Sequence, residues 1–280
     1  MSSVSRSVGR PVSRSVLAGQ SNDLASIIKN LFSNNEQGFF YDPNDLSTMY
    51  QDAAGTIPVT AAGQRVGLMK DKSGRNNHAF QTDSACKPKL QRNTTTGAYY
   101  LAFDGVDDFL QTSSINFTAT DKVSLFAGVR KLSDAATSIL AELSTSATAN
   151  AGAFIVYAPP NTVEVYGIAS RGINMPPSYA LVNNNLYKAP NSAVLSISLS
   201  TTQPLTKISL DGKSQRIDTA NQGGGNYGNY PLYIGRRAGT SLPFNGHLYS
   251  LIGIGRLTTD SETIALEKTI AKNTGVTLNV

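Results

Sequence analysis

AVLSISLS, residues 193–200, alternates without a break. Ala193, Leu195, Ile197 and Leu199 fall on one face of an extended chain, and Val194, Ser196, Ser198 and Ser200 on the other. A period of two marks a strand with one face against a core. The same period runs through KVSLFAGVRK (122–131). Shorter extended stretches surround it: YYLAF (99–103), FLQTS (109–113), GAFIVYA (152–158), TVEVYGIAS (162–170), PLYIGRR (231–237) and HLYSLIGIGR (247–256). TKISLDGKSQRI (206–217) reads as a hairpin around Asp211-Gly212, a dipeptide suited to a two-residue turn. Many short strands separated by turn residues predict an all-β sandwich.

Helical spacing is confined to the two ends. In SNDLASIIKNLFSN (21–34), Leu24, Ile27, Ile28 and Leu31 form one stripe, which predicts a short amphipathic helix over 22–32. Such a helix is too short to persist alone, so its stripe must dock on the body or on a partner. TTDSETIALEKTIAKNTG (258–275) predicts the second helix. Thr259 and Glu262 have capping-box spacing, Ile264 opens the expected buried face, and Gly275 marks the stop. Residues 38–70 are turn-rich and predict irregular structure with short strands.

Before the first helix lies SVSRSVGRPVSRSV (3–16). Val4, Arg6, Val8, Arg10, Val12, Arg14 and Val16 alternate with small or rigid residues. Gly9 and Pro11 oppose a helix there, and the period of two puts valines and arginines on one extended face. The expectation is an anchoring arm over 1–20 that adds along a partner's surface or sheet edge. A helix and linker then span 21–37, and the sandwich spans 38–280. The chain has 280 residues and a net charge of +5. Setting aside Arg6, Arg10 and Arg14 leaves 5 − 3 = +2, so the body is nearly neutral and predicts no nucleic-acid partner. One cysteine, Cys86, excludes an internal disulfide and a cysteine-based zinc cluster. Neither an apolar run of membrane length nor a secretory signal is legible, so the expectation is no membrane insertion and synthesis in a cytoplasm.

Four pieces, in order, carry a family resemblance. MKDKSGRNNHAFQ (69–81) resembles the D-x-S-G-x-x-N-x-A stretch of concanavalin A-like lectin/glucanase (laminin-G-type) jelly rolls. YLAFDGVDDFLQT (100–112) resembles their F-D-G-x-D-D-Y-L signature. Residues 232–276 resemble their close, a strand ending in I-G-R followed by F-x-G and a helix. The leader at 38–74 looks like segments that precede such domains in structural proteins of tailed bacteriophages, and the Arg/Ser/Val arm also looks phage-like. The resemblance implies a concanavalin A-like jelly roll of two antiparallel sheets. It implies a virion structural protein (head decoration, collar or tail-associated) located on the particle and homo-oligomeric there. Its partners would be capsid, collar or tail subunits through the arm and through Leu24, Ile27, Ile28 and Leu31. A carbohydrate-binding adhesin directed at host-surface glycans is the alternative.

The glycanase branch of that family needs paired carboxylates about 5 Å apart. Here Glu142 and Glu164 stand alone on different segments, so the expectation is not an enzyme. Asp104, Asp107 and Asp108 are chemically suited to Ca²⁺, but the same pattern makes a tight turn, and that reading is preferred; otherwise no cofactor is expected. His78 and His247 read as structural, lacking a nucleophile or metal spacing beside them. In QGGGNYGNYP (222–231), Tyr227 and Tyr230, with Arg236 beyond, are the candidate contacts to a glycan or protein surface.

Overall fold

The computed structural model describes residues 24–173 and 175–279. Helix α1 (Leu24–Leu31) leads into β1 (Gly38–Tyr41), β2 (Met49–Tyr50), β3 (Leu68–Met69), β4 (Ala79–Phe80) and β5 (Lys89–Arg92). Then come β6 (Tyr99–Asp104), β7 (Leu110–Asn116), β8 (Lys122–Lys131), β9 (Ile139–Leu143), β10 (Ala153–Tyr157) and β11 (Tyr166–Arg171). The chain continues through β12 (Ser178–Val182), β13 (Asn191–Ser200), β14 (Leu205–Leu210) and β15 (Lys213–Asp218). It closes with β16 (Asn229–Ile234), β17 (Asn245–Ile254) and helix α2 (Asp260–Thr274).

The strands form two antiparallel sheets. One has eight strands in the order β15-β14-β13-β8-β17-β6-β5, with β1 paired to β17; the other has nine, in the order β12-β11-β10-β9-β16-β7-β4-β3-β2. Neighbours far apart in sequence, such as β8 with β17, make this a jelly-roll sandwich rather than a meander. Between the sheets lies the main core, to which β13 contributes Ala193, Leu195, Ile197 and Leu199. The β14–β15 hairpin turns at Asp211-Gly212, both with positive φ (53° and 81°), as a two-residue turn requires.

The other face of β13 is covered too. Phe126, Val194 and Ile252 pack there against Leu266, Ile270 and Ala271 of α2, and Ile28, Leu31 and Phe32 join the same cluster. Burying each large side chain contributes roughly 1.5–3 kcal/mol. Gly128 permits the close approach, because a Cβ there would meet Ile270 Cγ2 at 2.6 Å. Ser196, expected on a solvent face, is buried and donates its hydroxyl to the Glu267 carboxylate. Ile264 is a correction: it is 40% exposed, and the buried stripe of α2 is Leu266, Glu267, Ile270, Ala271 and Thr274. The capping box at Thr259 and Glu262 and the Gly275 C-cap form as read from sequence.

Arg256, just after β17, ties both helices to the sandwich. Its guanidinium donates to Glu262 Oε1 and Oε2 (2.7 and 2.8 Å), Glu36 Oε1 (3.0 Å) and the Leu31 carbonyl (3.0 Å). The stripe residues Ile28 and Leu31 thus dock on the chain's own body, with Ile27 at the margin. The Leu24 side chain and the arm residues Val4, Arg6, Val8, Arg10, Val12, Arg14 and Val16 lie outside the described residues. Among the described residues no helix is long and apolar enough to cross a membrane.

Candidate functional site

The turn from β6 to β7 carries Asp104-Gly105-Val106-Asp107-Asp108. Asp104 Oδ1 accepts the amides of Val106 (2.8 Å) and Asp107 (3.2 Å), and Asp108 Oδ2 accepts the amide of Asp104 (3.2 Å). Short carboxylates closing a turn in this way were the preferred reading of the motif. Oxygens of Asp104, Asp107 and Asp108 do lie within 4.8 Å of one another. Two of these carboxylates, however, are already committed to turn amides.

One oxygen is left over. Asp108 is 6% exposed, and its Oδ1 is buried with no hydrogen-bond partner in the protein. Arg65 Nη1 stands 4.0 Å away and donates instead to the carbonyls of Ala85 (3.0 Å) and Lys87 (2.9 Å). Burial, reinforced by the neighbouring Asp104 carboxylate, pushes Asp108 up to about 7. Near neutrality its carboxyl is therefore divided between a donor and an acceptor form.

Asp108 lines a cavity of about 230 Å³. Arg65, Lys89, Asp104, Asn245 and His247 supply the remaining polar wall, and Ala102, Phe103 and Leu132 the apolar one. Strand pairing assembles it. In β6 and β17, Leu101, Phe103 and Leu248 belong to the core, so the paired residues Ala102 and His247 face outward. His247 stacks on Tyr100 with ring centroids 4.0 Å apart, and its Nδ1 is buried without a protein partner. Burial, with help from the Arg130 charge, pushes His247 down to about 4, so the ring is neutral at pH 7 and offers one donor and one acceptor.

Unpaired buried polar atoms cost about 1–3 kcal/mol each. Two of them, on residues that line one small cavity, point to a place for a hydrogen-bonding ligand. At about 30 Å³ per water the cavity has room for roughly eight waters, or one sugar-sized group. Its inventory of carboxyl, guanidinium, amide, ammonium and imidazole beside an apolar wall matches a ligand with many hydroxyls and a few C–H faces.

The predicted contact residues are placed differently from one another. Tyr227 is a correction: it is 1% exposed, its ring meets Phe154 edge-on, and its hydroxyl pairs with Ser170 Oγ at 2.7 Å. The glycines around it let the loop fold inward and carry the ring into the core. Tyr230 is half-buried and donates to the Ala151 carbonyl (3.1 Å). Arg236 joins the Asp turn instead, donating to the Asp107 carbonyl (3.5 Å) and the Thr240 carbonyl (3.1 Å). His78 is structural, accepting the Asp71 amide at Nδ1. Glu142 is fully buried, with both oxygens taken by Arg237 (2.9 and 3.1 Å) and one also by the Ala147 amide (2.7 Å). Sequence reasoning did not single out Arg65, Lys89 or Asn245, and it read His247 as structural.

The fold defines a class, the antiparallel jelly-roll sandwich. No protein-family profile matches the chain, and no curated protein matches it either. Among solved structures it is similar to the receptor-binding domain of botulinum neurotoxin D, with a TM-score of 0.54 at 8% identity, covering 71% of this chain and 49% of that one. A botulinum neurotoxin type C structure, whose cell invasion depends on two ganglioside molecules, gives a TM-score of 0.55 at 11% identity, covering 87% and 53%. The neurotoxin serotype D ligand-binding domain in complex with N-acetylneuraminic acid gives 0.56 at 8%, covering 86% and 52%. The chain thus spans about half the length of these three structures, and at these identities the likeness is one of fold.

Proposed function

We propose that this protein is a non-enzymatic, lectin-type module that binds carbohydrate in the cavity beside the Asp104–Asp108 turn. The observation that carries the reading is the pair of unpartnered buried atoms, Asp108 Oδ1 and His247 Nδ1, on residues lining one sugar-sized cavity. Glycan-binding neighbours of the same fold support it. A glycan array followed by titration calorimetry is the test. Binding of a defined glycan at millimolar or lower concentration is expected, and an empty array together with silence at millimolar sugar overturns the reading.

The carrier in this proposal is a structural protein of a tailed-bacteriophage particle, with residues 1–20 as the anchor to capsid, collar or tail subunits. Its support is the leader at 38–74 and the basic, period-two arm. Deleting residues 1–20 is expected to leave a folded sandwich with the wild-type melting temperature that no longer incorporates into particles. Normal incorporation would remove the anchoring role.

A further inference from the structure

A second cavity lies on the outer face of the eight-stranded sheet, against the N-terminal half of α2, and shares no residue with the first. Its volume is about 490 Å³. The outward positions of β13, β14 and β15 make its floor: Ser196, Ser198, Ser209 and Ser214. The hydroxyls of Ser198, Ser209 and Ser214 make no hydrogen bond within the described structure, although Ser209 is only 7% exposed. Asp260, Thr263, Ile264 and Glu267 of α2 form the wall, and Lys207, paired with Ser198 across β13 and β14, joins the floor.

The charges select among ligands. Two carboxylates face one lysine, for a formal charge of −1. Glu267 is 3% exposed and uses one oxygen to accept the Ser196 hydroxyl. The capping box takes the Glu262 amide, and the Asp260 and Glu262 carboxylates at the same helix end disfavour an anion. Serine hydroxyls both donate and accept, so the floor suits a ring of hydroxyls, while the acidic wall suits an ammonium.

We infer that this serine-floored cavity is a second binding site, for a hydroxylated ligand that carries a primary amine, such as a free 2-amino sugar. The site stands apart from the carbohydrate reading above, and either can fail without the other.

Amide-resolved NMR titration of the full chain with glucosamine, glucose and spermidine tests it. Glucosamine is expected to move the amide signals of Ser196, Ser198 and Ser209 with saturation, and to bind at least about fivefold more tightly than glucose, which lacks the amine, or spermidine, which lacks the hydroxyls. Asp260→Asn removes an exposed charge and is expected to weaken glucosamine about two- to fivefold, the range of one exposed ion pair. Ser198→Leu fills the floor and is expected to abolish the shifts while the melting temperature confirms folding. Glucosamine signals that do not saturate, signals that map elsewhere, or equal affinity for the three probes overturn the proposal.

Discussion

The outer face of the nine-stranded sheet around Glu142 and the cavity beside the Asp104–Asp108 turn both set charged groups against buried aromatic surface, yet they are finished differently. Glu142 has no accessible surface, and Arg237 and the Ala147 amide satisfy both of its oxygens. This bond set ties the loop after β9 and the loop after β16 down onto the strand that carries Glu142. At the turn, strand pairing and stacking hold His247, and Asp108 accepts the Asp104 amide, but each retains one buried atom without a partner. A completed network is architecture; the incomplete one beside a cavity is where the proposed site is placed. The proximity of an acid to an arginine does not separate the two cases, and counting partners does.

The largest expected effect attacks the architectural half. Glu142→Ala leaves the Arg237 guanidinium facing an unpaired, largely buried position, and chemical denaturation is expected to show a loss of about 3–5 kcal/mol. Binding at the turn cavity should persist in whatever fraction folds. A small stability loss accompanied by loss of glycan binding would reverse the roles assigned to the two regions.

Asp108→Asn sharpens the other half. The folded pKa of Asp108 is raised, so its contribution to stability is full below about pH 4 and lost as pH rises through about 7. That of His247 is depressed, so its contribution is present above about 6.5 and lost as pH falls through about 4. The two slopes oppose each other between pH 4 and 6.5. Asparagine keeps the acceptor for the Asp104 amide and removes the titration. The variant should gain about 2 kcal/mol relative to wild type between pH 4 and pH 8, discounted from ~1.4 kcal/mol per unit for screening. Its own stability should rise from pH 4 to 6.5 as His247 deprotonates. Parallel profiles for the two proteins would mean that Asp108 is ordinarily solvated.

Tyr230→Phe is the smallest change. It removes one half-buried hydrogen bond to Ala151, for about 0.5–1.5 kcal/mol in thermal unfolding, and should leave glycan affinity unaltered. Lost affinity would return the 222–231 loop to the binding surface.

The sandwich was legible where one face meets a core. β8 runs over the full ten residues read from KVSLFAGVRK, and β13 extends AVLSISLS by two at its start. Strands of two residues, such as β2, β3 and β4, carry no period to detect. The second face of β13 was misjudged because serine reads as solvent-facing, whereas here a helix covers it and Glu267 accepts the Ser196 hydroxyl. Ile264 misled because α2 has apolar residues on more than one side, and only the packing partner selects Leu266 and Ile270. Of the turn cavity, the Asp104–Asp108 segment was visible as a motif. Lys89, Asn245 and His247 come from distant segments brought together by the β5-β6-β17 pairing, and Arg65 joins through its bridge to Lys89, which no local spacing encodes. Tyr227 was the opposite case: its glycine-rich setting looks like an exposed loop, and its inward turn is decided by the Ser170 hydroxyl and the Phe154 ring.

The most direct measurement is an amide-resolved titration of wild type and Asn245→Ala with the glycan selected by the array. Saturable shifts at Asp108, Asn245 and His247, with affinity about tenfold lower in the variant, equivalent to about 1.4 kcal/mol, are the expected result. Shifts confined to the 222–231 loop or to the strands around Glu142, with Asn245→Ala binding as wild type does, would contradict the assignment of the unpaired cavity as the binding site.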